Sequence, residues 1–515
     1  MKRLILWCVI AFTSMAAIGQ PHLQPKNYEE FAKLLSVQDS QKSLSSRTLS
    51  ILSGRIPETT LERYINWHNI AMETTALDHT PVEAGSGDDP RRFAQQLGPH
   101  RASYAMAIVH VAMFEAVNAI HQTHQSYVGL PPVNGLNNSV VATDRAIAQA
   151  TRDTLISLYR YQEPRINALF TQDVARMPKP PAVPQAELDA GAKVGSDAAK
   201  AILVKRAGDG ADHMEPIYGV DYTPKPCGGA PCPEAWSPDP ISNLTVALGA
   251  KWATVRPFVM TSAEQFRPAQ YPKLDSPHYL AAFNEVKQYG ADGTTSATDR
   301  RDFQTFEGLF WAYDGTPALC APPRLYNKMA LDFALSRKSF MTISDYAAYM
   351  ARINVAMADA GISAWEAKYF YQLWRPVTGI RNAQGGTTAD PSWTPLGAPA
   401  TNGRGPNFTP PFPSYPSGHA VFGGAVLQVM REEFKGDFPF TLISDEYNGQ
   451  NYGVGDAQPR PSLPQSFVSF SHAEYANGRS RIWLGIHWQF DADAGIAQGN
   501  RVGSFVVANS FKKLP

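Results

Sequence analysis

The stretch PPFPSYPSGHAVFGG, residues 410–424, leads from a proline-rich loop into a helix, since apolar residues recur at helical spacing over 421–434. Ser417, Gly418 and His419 lie where that helix begins. Backbone N–H groups and the helix dipole favour an anion there, and a glycine lets a ligand approach the backbone closely. An ordinary helix cap has the same pattern. A histidine in the first turn, where the dipole disfavours a charged ring, indicates an imidazole that exchanges a proton.

A second stretch, SAWEAKYFYQLWRP, begins at Ser363 and carries two cations, Lys368 and Arg375. Ser363 and Glu366 have the spacing of a capping box, which predicts that a helix begins there, and Pro376 is predicted to end it soon after Arg375. Two residues seven apart project from one face of a helix. Both side chains could simply be solvated. The surrounding aromatic residues, however, indicate that this helix is buried, and buried cations need a counter-anion.

A third stretch, SRIWLGIHWQFDADAG, places His487 four residues before Asp491. A carboxylate beside an imidazole fixes the tautomer of the ring and leaves the other nitrogen free to bind. Arg481 lies six residues before His487, out of phase with a single helix, so it must reach the same site through a bend or by its long side chain. By itself, the histidine–aspartate pair fits a structural role equally well.

The three stretches together describe a pocket for a tetrahedral oxyanion. They read K-x6-R-P, P-S-G-H and S-R-x5-H-x3-D, which supplies three cations, backbone N–H groups and a hydroxyl, with two histidines beside them. This set resembles the shared site of the vanadium-dependent haloperoxidases and the type 2 phosphatidic acid phosphatase superfamily. The resemblance is closest to the chloroperoxidase-like branch, covers about residues 305–435 and 475–495, and is looser in the N-terminal half.

The resemblance implies vanadate as the cofactor, bonded to the imidazole of His487. It also implies a set of residues that neutralise or hydrogen-bond the vanadate oxygens, namely Lys368, Arg375, Arg481, Ser417 and the amide of Gly418. In the implied reaction, hydrogen peroxide oxidises a halide ion to hypohalous acid, which halogenates a small organic acceptor. The resemblance makes His419 the acid–base residue and gives Lys368 the role of polarising bound peroxide, so His419, His487 and Lys368 form the implied catalytic set.

Four further residues surround this set. The resemblance places Phe412 and Trp365 on the halide side of the pocket, although both also fit plain packing roles. Asp491 is the partner of the metal-bound imidazole, and Asp314, in WAYDG, is expected to pair with one of the arginines.

Two other functions use the same pocket. A secreted acid phosphatase would form a phosphohistidine at His487, while His419 protonates the leaving group. The length of 515 residues favours the peroxidase, because phosphatases with this pattern are mostly short chains. A non-catalytic oxyanion-binding protein would not need an acid–base histidine, so His419 argues against it.

Composition and periodicity predict a mainly α protein with two helical bundles and long irregular loops. Lys+Arg and Asp+Glu are both 46, so the chain has no long-range field for nucleic acid or an anionic membrane, and neither is an expected partner. Helical periodicity is expected over 141–176, 186–206, 344–360, 364–374, 418–434 and 470–510. The predicted divisions are a signal peptide at 1–19, an N-terminal helical domain at 20–278 with a loop-rich end, and a C-terminal bundle at 279–515 carrying the vanadate site.

The first residues, MKRLILWCVIAFTSMAAIGQ, have the pattern of a secretory signal, with two basic residues, an apolar run and a small-x-small cleavage site. This predicts a mature chain that starts near Gln20 and is secreted or periplasmic, with a lone membrane anchor as the alternative. Cys227 and Cys232, in CGGAPC, are close enough in sequence to form a local disulfide, and Cys320 is expected to be a buried thiol.

Overall fold

The computed structural model describes residues 57–515 apart from 58, 83–90, 137, 228–229 and 338–340. These described residues form thirteen α-helices and two short antiparallel strand pairs. The prediction of a mainly α fold is therefore confirmed. The predicted signal peptide lies outside the described residues.

The N-terminal helices surround one apolar helix, α2 (Pro99–His121), in which every residue from His100 to Ile120 is buried. Among the described residues, α2 is long and apolar enough to cross a membrane, but it lies wholly inside the protein. It packs against α3 and α5. The helices of this half are α1 (Thr60–Asp78), α2 (Pro99–His121), α3 (Val140–Leu158), α4 (Glu163–Arg176) and α5 (Gln185–Arg206).

An irregular segment follows α5, as its Gly- and Pro-rich composition predicts. Within the described part, regular structure over 207–276 is limited to a short turn of 3₁₀ helix, Trp252–Thr254, and a two-residue strand pair, Pro226–Cys227 with Ala230–Pro231. Cys227 and Cys232 form a disulfide at this hairpin. Cys320 is a buried free cysteine, as expected.

The C-terminal helices pack around the pair α11 (Gly418–Phe434) and α13 (Gln489–Asn509). Three glycines of α13, Gly495, Gly499 and Gly503, face α11. A Cβ at Gly495 would lie 2.8 Å from the carbonyl oxygen of Ser417, and a Cβ at Gly503 would lie 2.6 Å from that of Ala425. Only glycine permits this approach, which brings the starts of the two helices together. The helices are α6 (Pro277–Tyr289), α7 (Asp302–Phe310), α8 (Pro322–Ser336), α9 (Ile343–Tyr371), α10 (Pro376–Asn382), α11 (Gly418–Phe434), α12 (Phe470–Trp483) and α13 (Gln489–Asn509), with one strand pair, Phe440–Leu442 and Gln465–Phe467.

The predicted helix start at Ser363 is wrong, because α9 runs without a break from Ile343 to Tyr371. Neither member of the apparent capping box caps a helix. The hydroxyl of Ser363 accepts from Gln498 at 2.8 Å, and Glu366 accepts from Arg267 Nε at 2.9 Å. Apolar neighbours on both sides bury this part of α9. Their packing stabilises a continuous helix at Ser363, although the capping-box pattern there favours a helix start.

The predicted helix end is also wrong. α9 ends at Tyr371, where Gln372 is left-handed with φ 56°, and Arg375 is the N-cap of α10 rather than part of the same helix as Lys368. Pro376 is the first residue of α10, a position that suits proline because no backbone N–H is needed there.

The two groups of helices share a core. α2 of the N-terminal half packs along α9 of the C-terminal half, and buried apolar side chains form one continuous cluster from Tyr64 to Phe511. The domain boundary at 278/279 stays a prediction. The expected helical region at 470–510 is two helices, because the chain turns between Trp483 and Gln489.

Candidate active site

Three segments that are far apart in sequence meet at one small cavity. These are the end of α9, the proline-rich loop that leads into α11, and the turn between α12 and α13. Arg375, at the start of α10, contacts the cavity wall through His487, since its Nη1 lies 2.9 Å from His487 Nε2. The cavity has a volume of about 30 Å³, where one water needs about 10–15 Å³ by the same measure. It therefore has room for a small ion and not for a large organic molecule. Predicted site residues in its wall are Trp365, Phe412, Gly418, His419, Arg481, His487 and Asp314.

The His487 ring is held in one tautomer by its two neighbours. Its Nδ1 lies 2.8 Å from Asp491 Oδ2, so the ring donates its hydrogen there, and its Nε2 accepts from Arg375 Nη1 at 2.9 Å. Nε2 therefore carries the lone pair. Burial and the charge of Arg375 lower the pKa of His487 well below its usual value. The imidazole is neutral, as a metal ligand must be.

Asp491 connects this imidazole to the backbone. It lies in the first turn of α13, and its Oδ2 accepts from the N–H of Trp488 at 3.1 Å, which caps the helix. Burial raises the pKa of Asp491 to about 7, although a hydrogen bond from Ser414 opposes the rise. His487 and Asp491, four residues apart, are therefore brought together by a turn and a helix cap, and do not lie on one face of a helix.

Four buried donor atoms around His487 have no hydrogen-bond partner among the described residues. They are Arg375 Nη2, Arg481 Nε, Arg481 Nη1 and the hydroxyl Oγ of Ser417. Arg481 donates its remaining Nη2 to Asp314 at 2.6 Å. A buried donor without an acceptor costs about 1–3 kcal/mol, and more when it is charged. An oxyanion beside His487 satisfies these donors, so the residues present fit such a group.

Lys368 also lies near His487, but its ammonium group donates its hydrogen bonds to the proline-rich loop before α11. Its Nζ donates to the carbonyl oxygens of Pro413 and Ser414 at 2.9 Å and of Pro416 at 2.6 Å. Burial and the charge of Arg375 lower the pKa of Lys368, while the three carbonyls hold the hydrogens of its ammonium form. In this structure, Lys368 fastens the loop that presents the start of α11, and its charge lies 5.2 Å from the centre of the Phe412 ring.

Ser417 is the N-cap of α11 and Gly418 its first residue. The side chain of Ser417 makes no capping bond, and its buried hydroxyl has no hydrogen-bond partner among the residues that the structure describes. His419 donates from Nε2 to the carbonyl of Ala312 at 2.6 Å, so its lone pair is on Nδ1. Burial, and then the charge of Arg481, lower the pKa of His419 well below its usual value.

The two predicted halide-side aromatic residues contact each other. The ring centres of Trp365 and Phe412 lie 4.9 Å apart, and the indole of Trp365 donates to the carbonyl of Leu248 at 3.0 Å. Both line the cavity, as do Arg481 and the neutral imidazole of His487.

Three contributions to the site were missed by the sequence analysis. Ser414 donates to Asp491 Oδ2, and Leu248 and the segment 97–99 from the N-terminal half form part of the cavity wall. A signal existed only for Ser414, a second serine three residues before Ser417. Nothing in the local pattern around Leu248 distinguishes a cavity wall from an ordinary loop.

The chain is similar to known proteins over part of its length. Residues 348–514 match the family model of the VCPO second helical-bundle domain. The vanadium chloroperoxidase of Curvularia inaequalis is 38% identical over 40% of this chain and 39% of its own length. The C-terminal half of the chain is therefore similar in sequence to a vanadium-dependent haloperoxidase.

Solved haloperoxidase structures extend the similarity to most of the fold. A bacterial vanadium-dependent iodoperoxidase covers 89% of this chain and 98% of its own, with a TM-score of 0.65 and 24% identity. A bacterial vanadium-dependent chloroperoxidase in its holo form covers 82% and 95%, with a TM-score of 0.58 and 17% identity. At these identities the structures establish the fold alone. The chain spans about two fifths of the length of the curated relative that it matches.

Proposed function

We propose that this protein is a vanadium-dependent haloperoxidase, which oxidises a halide ion with hydrogen peroxide and a proton to hypohalous acid and water. The observation that carries the proposal is a set of buried donors near His487, on Arg375, Arg481 and Ser417, that have no partner within the described part of the chain. The relationship to the haloperoxidases supports it, and nothing in the site favours the phosphatase instead.

Vanadate fits the donor set as the proposed cofactor. The described residues contain no cluster of three or more His, Cys, Asp or Glu side chains able to hold a metal ion, so a metal oxide would depend on one imidazole and on donors to its oxygens. His487 Nε2 would provide the bond, and Arg375, Arg481, Ser417 and the amide of Gly418 would bind the oxygens. When bound, vanadate supplies a Lewis-acidic metal that activates peroxide.

His419 moves the proton in this proposal. Its Nε2 hydrogen is committed to the carbonyl of Ala312, so Nδ1 is the atom that accepts a proton from peroxide and returns it to the leaving oxygen. Burial, and then the nearby charge of Arg481, lower the pKa of the ring and keep it neutral before that step. His419 therefore acts at Nδ1 without needing a change of tautomer.

The halide would enter on the side of Trp365 and Phe412, where an apolar wall removes its hydration. The cavity volume of about 30 Å³ is too small for an aromatic acceptor. We therefore propose that the small organic acceptor reacts with hypohalous acid outside this cavity.

Reconstitution tests the proposed activity. The apoprotein is loaded with vanadate and assayed for halogenation of a phenol dye with peroxide and chloride, bromide or iodide in turn. We expect turnover with at least one halide, which His419→Ala abolishes. No turnover with any halide, together with phosphate-ester hydrolysis that vanadate inhibits, would make the protein a phosphatase.

We also propose that the protein is exported, with residues 1–19 as the signal peptide. The disulfide between Cys227 and Cys232 supports this, because disulfides persist in oxidising compartments. N-terminal sequencing of the protein from culture medium or periplasm is expected to start near Gln20. A cytoplasmic protein that keeps Met1 would contradict the proposal.

A further inference from the structure

Ser414 connects residues from opposite sides of the site. It is fully buried, and its carbonyl oxygen accepts from Lys368 at 2.9 Å. Its hydroxyl donates to Asp491 Oδ2 and lies 3.3 Å from His487 Nδ1. One side chain thus contacts both members of the histidine–aspartate pair.

The hydrogen bonds of the Asp491 carboxylate are all on one oxygen. Oδ2 accepts from Ser414, from His487 Nδ1 at 2.8 Å and from the N–H of Trp488 at 3.1 Å. Oδ1 is buried and has no partner in the described part of the chain. The hydroxyl of Ser414 therefore helps to decide how the carboxylate is turned about its Cβ–Cγ bond.

We propose that Ser414 is a positioning residue that sets the affinity of the site for vanadate. Its hydroxyl holds Asp491 Oδ2 against His487 Nδ1, so that the ring keeps its hydrogen on Nδ1 and its lone pair on Nε2. Without the hydroxyl, the carboxylate can rotate, and His487 can take the other tautomer, which has no lone pair on Nε2 to bond a metal. This inference rests on the proposed function, because the lone pair matters only if vanadium binds it.

A comparison of two anions tests the role. Dissociation constants for vanadate and for inorganic phosphate are measured by equilibrium dialysis on the wild type and on Ser414→Ala. Both anions use the donors of Arg375, Arg481 and Ser417, but vanadate alone needs the lone pair of His487. We expect Ser414→Ala to weaken vanadate binding by about tenfold, the lower end of what removing such a partner costs, and to change phosphate binding little.

Two other variants complete the experiment. Ser414→Thr keeps the hydroxyl, so its ratio of vanadate to phosphate affinity is expected to stay near that of the wild type even if the extra methyl lowers stability. Ser363→Ala removes another buried serine, which accepts from Gln498 away from the cavity, and is expected to leave both affinities unchanged.

The outcomes separate this inference from the proposed function. Three results would each overturn the role of Ser414. In Ser414→Ala, the affinities for both anions fall equally, or the affinity for vanadate does not fall. Alternatively, Ser414→Thr has the same ratio of vanadate to phosphate affinity as Ser414→Ala. Those results leave the haloperoxidase proposal standing. A wild type that binds phosphate but not vanadate would instead reject the proposed function.

Discussion

At His487, one hydrogen bond decides which chemistry the ring can perform. Asp491 takes the Nδ1 hydrogen at 2.8 Å, and Arg375 lies 2.9 Å from Nε2. The sequence predicted the histidine–aspartate pair from spacing alone. It could not predict that the chain turns between α12 and α13, because a spacing of four residues suits a helix equally well.

Removing this imidazole is the first prediction. His487→Ala is expected to abolish halide oxidation and to weaken vanadate retention sharply, because the remaining donors bind the oxygens but none bonds the metal. Dialysis followed by vanadium analysis measures the retention. Unchanged vanadium content in the variant would show that another residue is the ligand.

Lys368 gives a second prediction, concerning stability. Lys368→Met leaves the carbonyls of Pro413, Ser414 and Pro416 buried without their donor. The free energy of unfolding is expected to fall by about 3 kcal/mol, since each unsatisfied group costs about 1–3 kcal/mol and the loop relaxes in part. Urea unfolding of the apoprotein measures the change.

A matched control uses a lysine on the surface. Lys328 is partly exposed and pairs with Asp332 one helical turn away at 3.0 Å, so Lys328→Met is expected to cost less than about 0.5 kcal/mol. Equal losses in the two variants would mean that the three carbonyl contacts of Lys368 do not stabilise the loop.

Among the elements, α9 shows how packing overrides local pattern. The capping-box spacing at Ser363 and the proline at 376 both suggested helix boundaries that the structure does not have. Burial on all sides of α9 decided the outcome, and burial depends on partners that no local window contains. The start of α11 at Gly418 was predicted correctly, because a proline-rich loop and helical periodicity agree there.

The loop that covers α9 gives the third prediction. Gly249 has φ +79°, and a Cβ there would overlap Cδ1 of the Trp365 indole. Gly249→Ala is therefore expected to displace Trp365, to destabilise the protein by at least about 2 kcal/mol, as overpacking does, and to raise the KM for halide. Unfolding and steady-state kinetics measure the two effects.

Gly219→Ala is a control for Gly249→Ala. It separates the steric overlap with Trp365 from the strain of placing alanine at a positive φ. Gly219 has φ +78°, but nothing lies within 4 Å of a Cβ at that position. This variant has the same unfavourable backbone conformation and is expected to keep the wild-type KM. If both variants behave alike, Trp365 is not held in place by the loop at Gly249.

For the whole molecule, the two bundles form one core, and buried neutral histidines tie its stability to pH. His110 of α2 lies 2.9 Å from His68 of α1, and burial lowers the pKa of His110 to about 4. The unfolded value is about 6.5. The unfolded chain therefore binds the extra proton first as the pH falls, so the native state loses stability between about pH 6.5 and 4.

The fourth prediction follows from this loss of stability at low pH. The free energy of unfolding is expected to fall as the pH is lowered from 6.5 to 4, and His110→Gln is expected to reduce the fall by up to about 3 kcal/mol, the equivalent of this pKa shift. Urea unfolding at several pH values measures both slopes. An identical pH dependence in the two proteins would show that His110 does not contribute.

At this scale, the sequence predicted the mainly α class of fold, and seven of the predicted site residues line one cavity. It did not predict that Leu248 and the segment 97–99 close the cavity from the N-terminal half. Their apolar side chains resemble those of any loop, and only the packing of α2 along α9 brings them to the site.

The central claim is that one metal oxide binds at His487 among these donors. A crystal structure of the vanadate-loaded protein, with anomalous data collected above the vanadium edge, tests it most directly. We predict a single strong peak at bonding distance from Nε2 of His487, with oxygens contacting Arg375, Arg481 and Ser417. A peak in another cavity, or vanadium bound without contact to His487, would contradict the account.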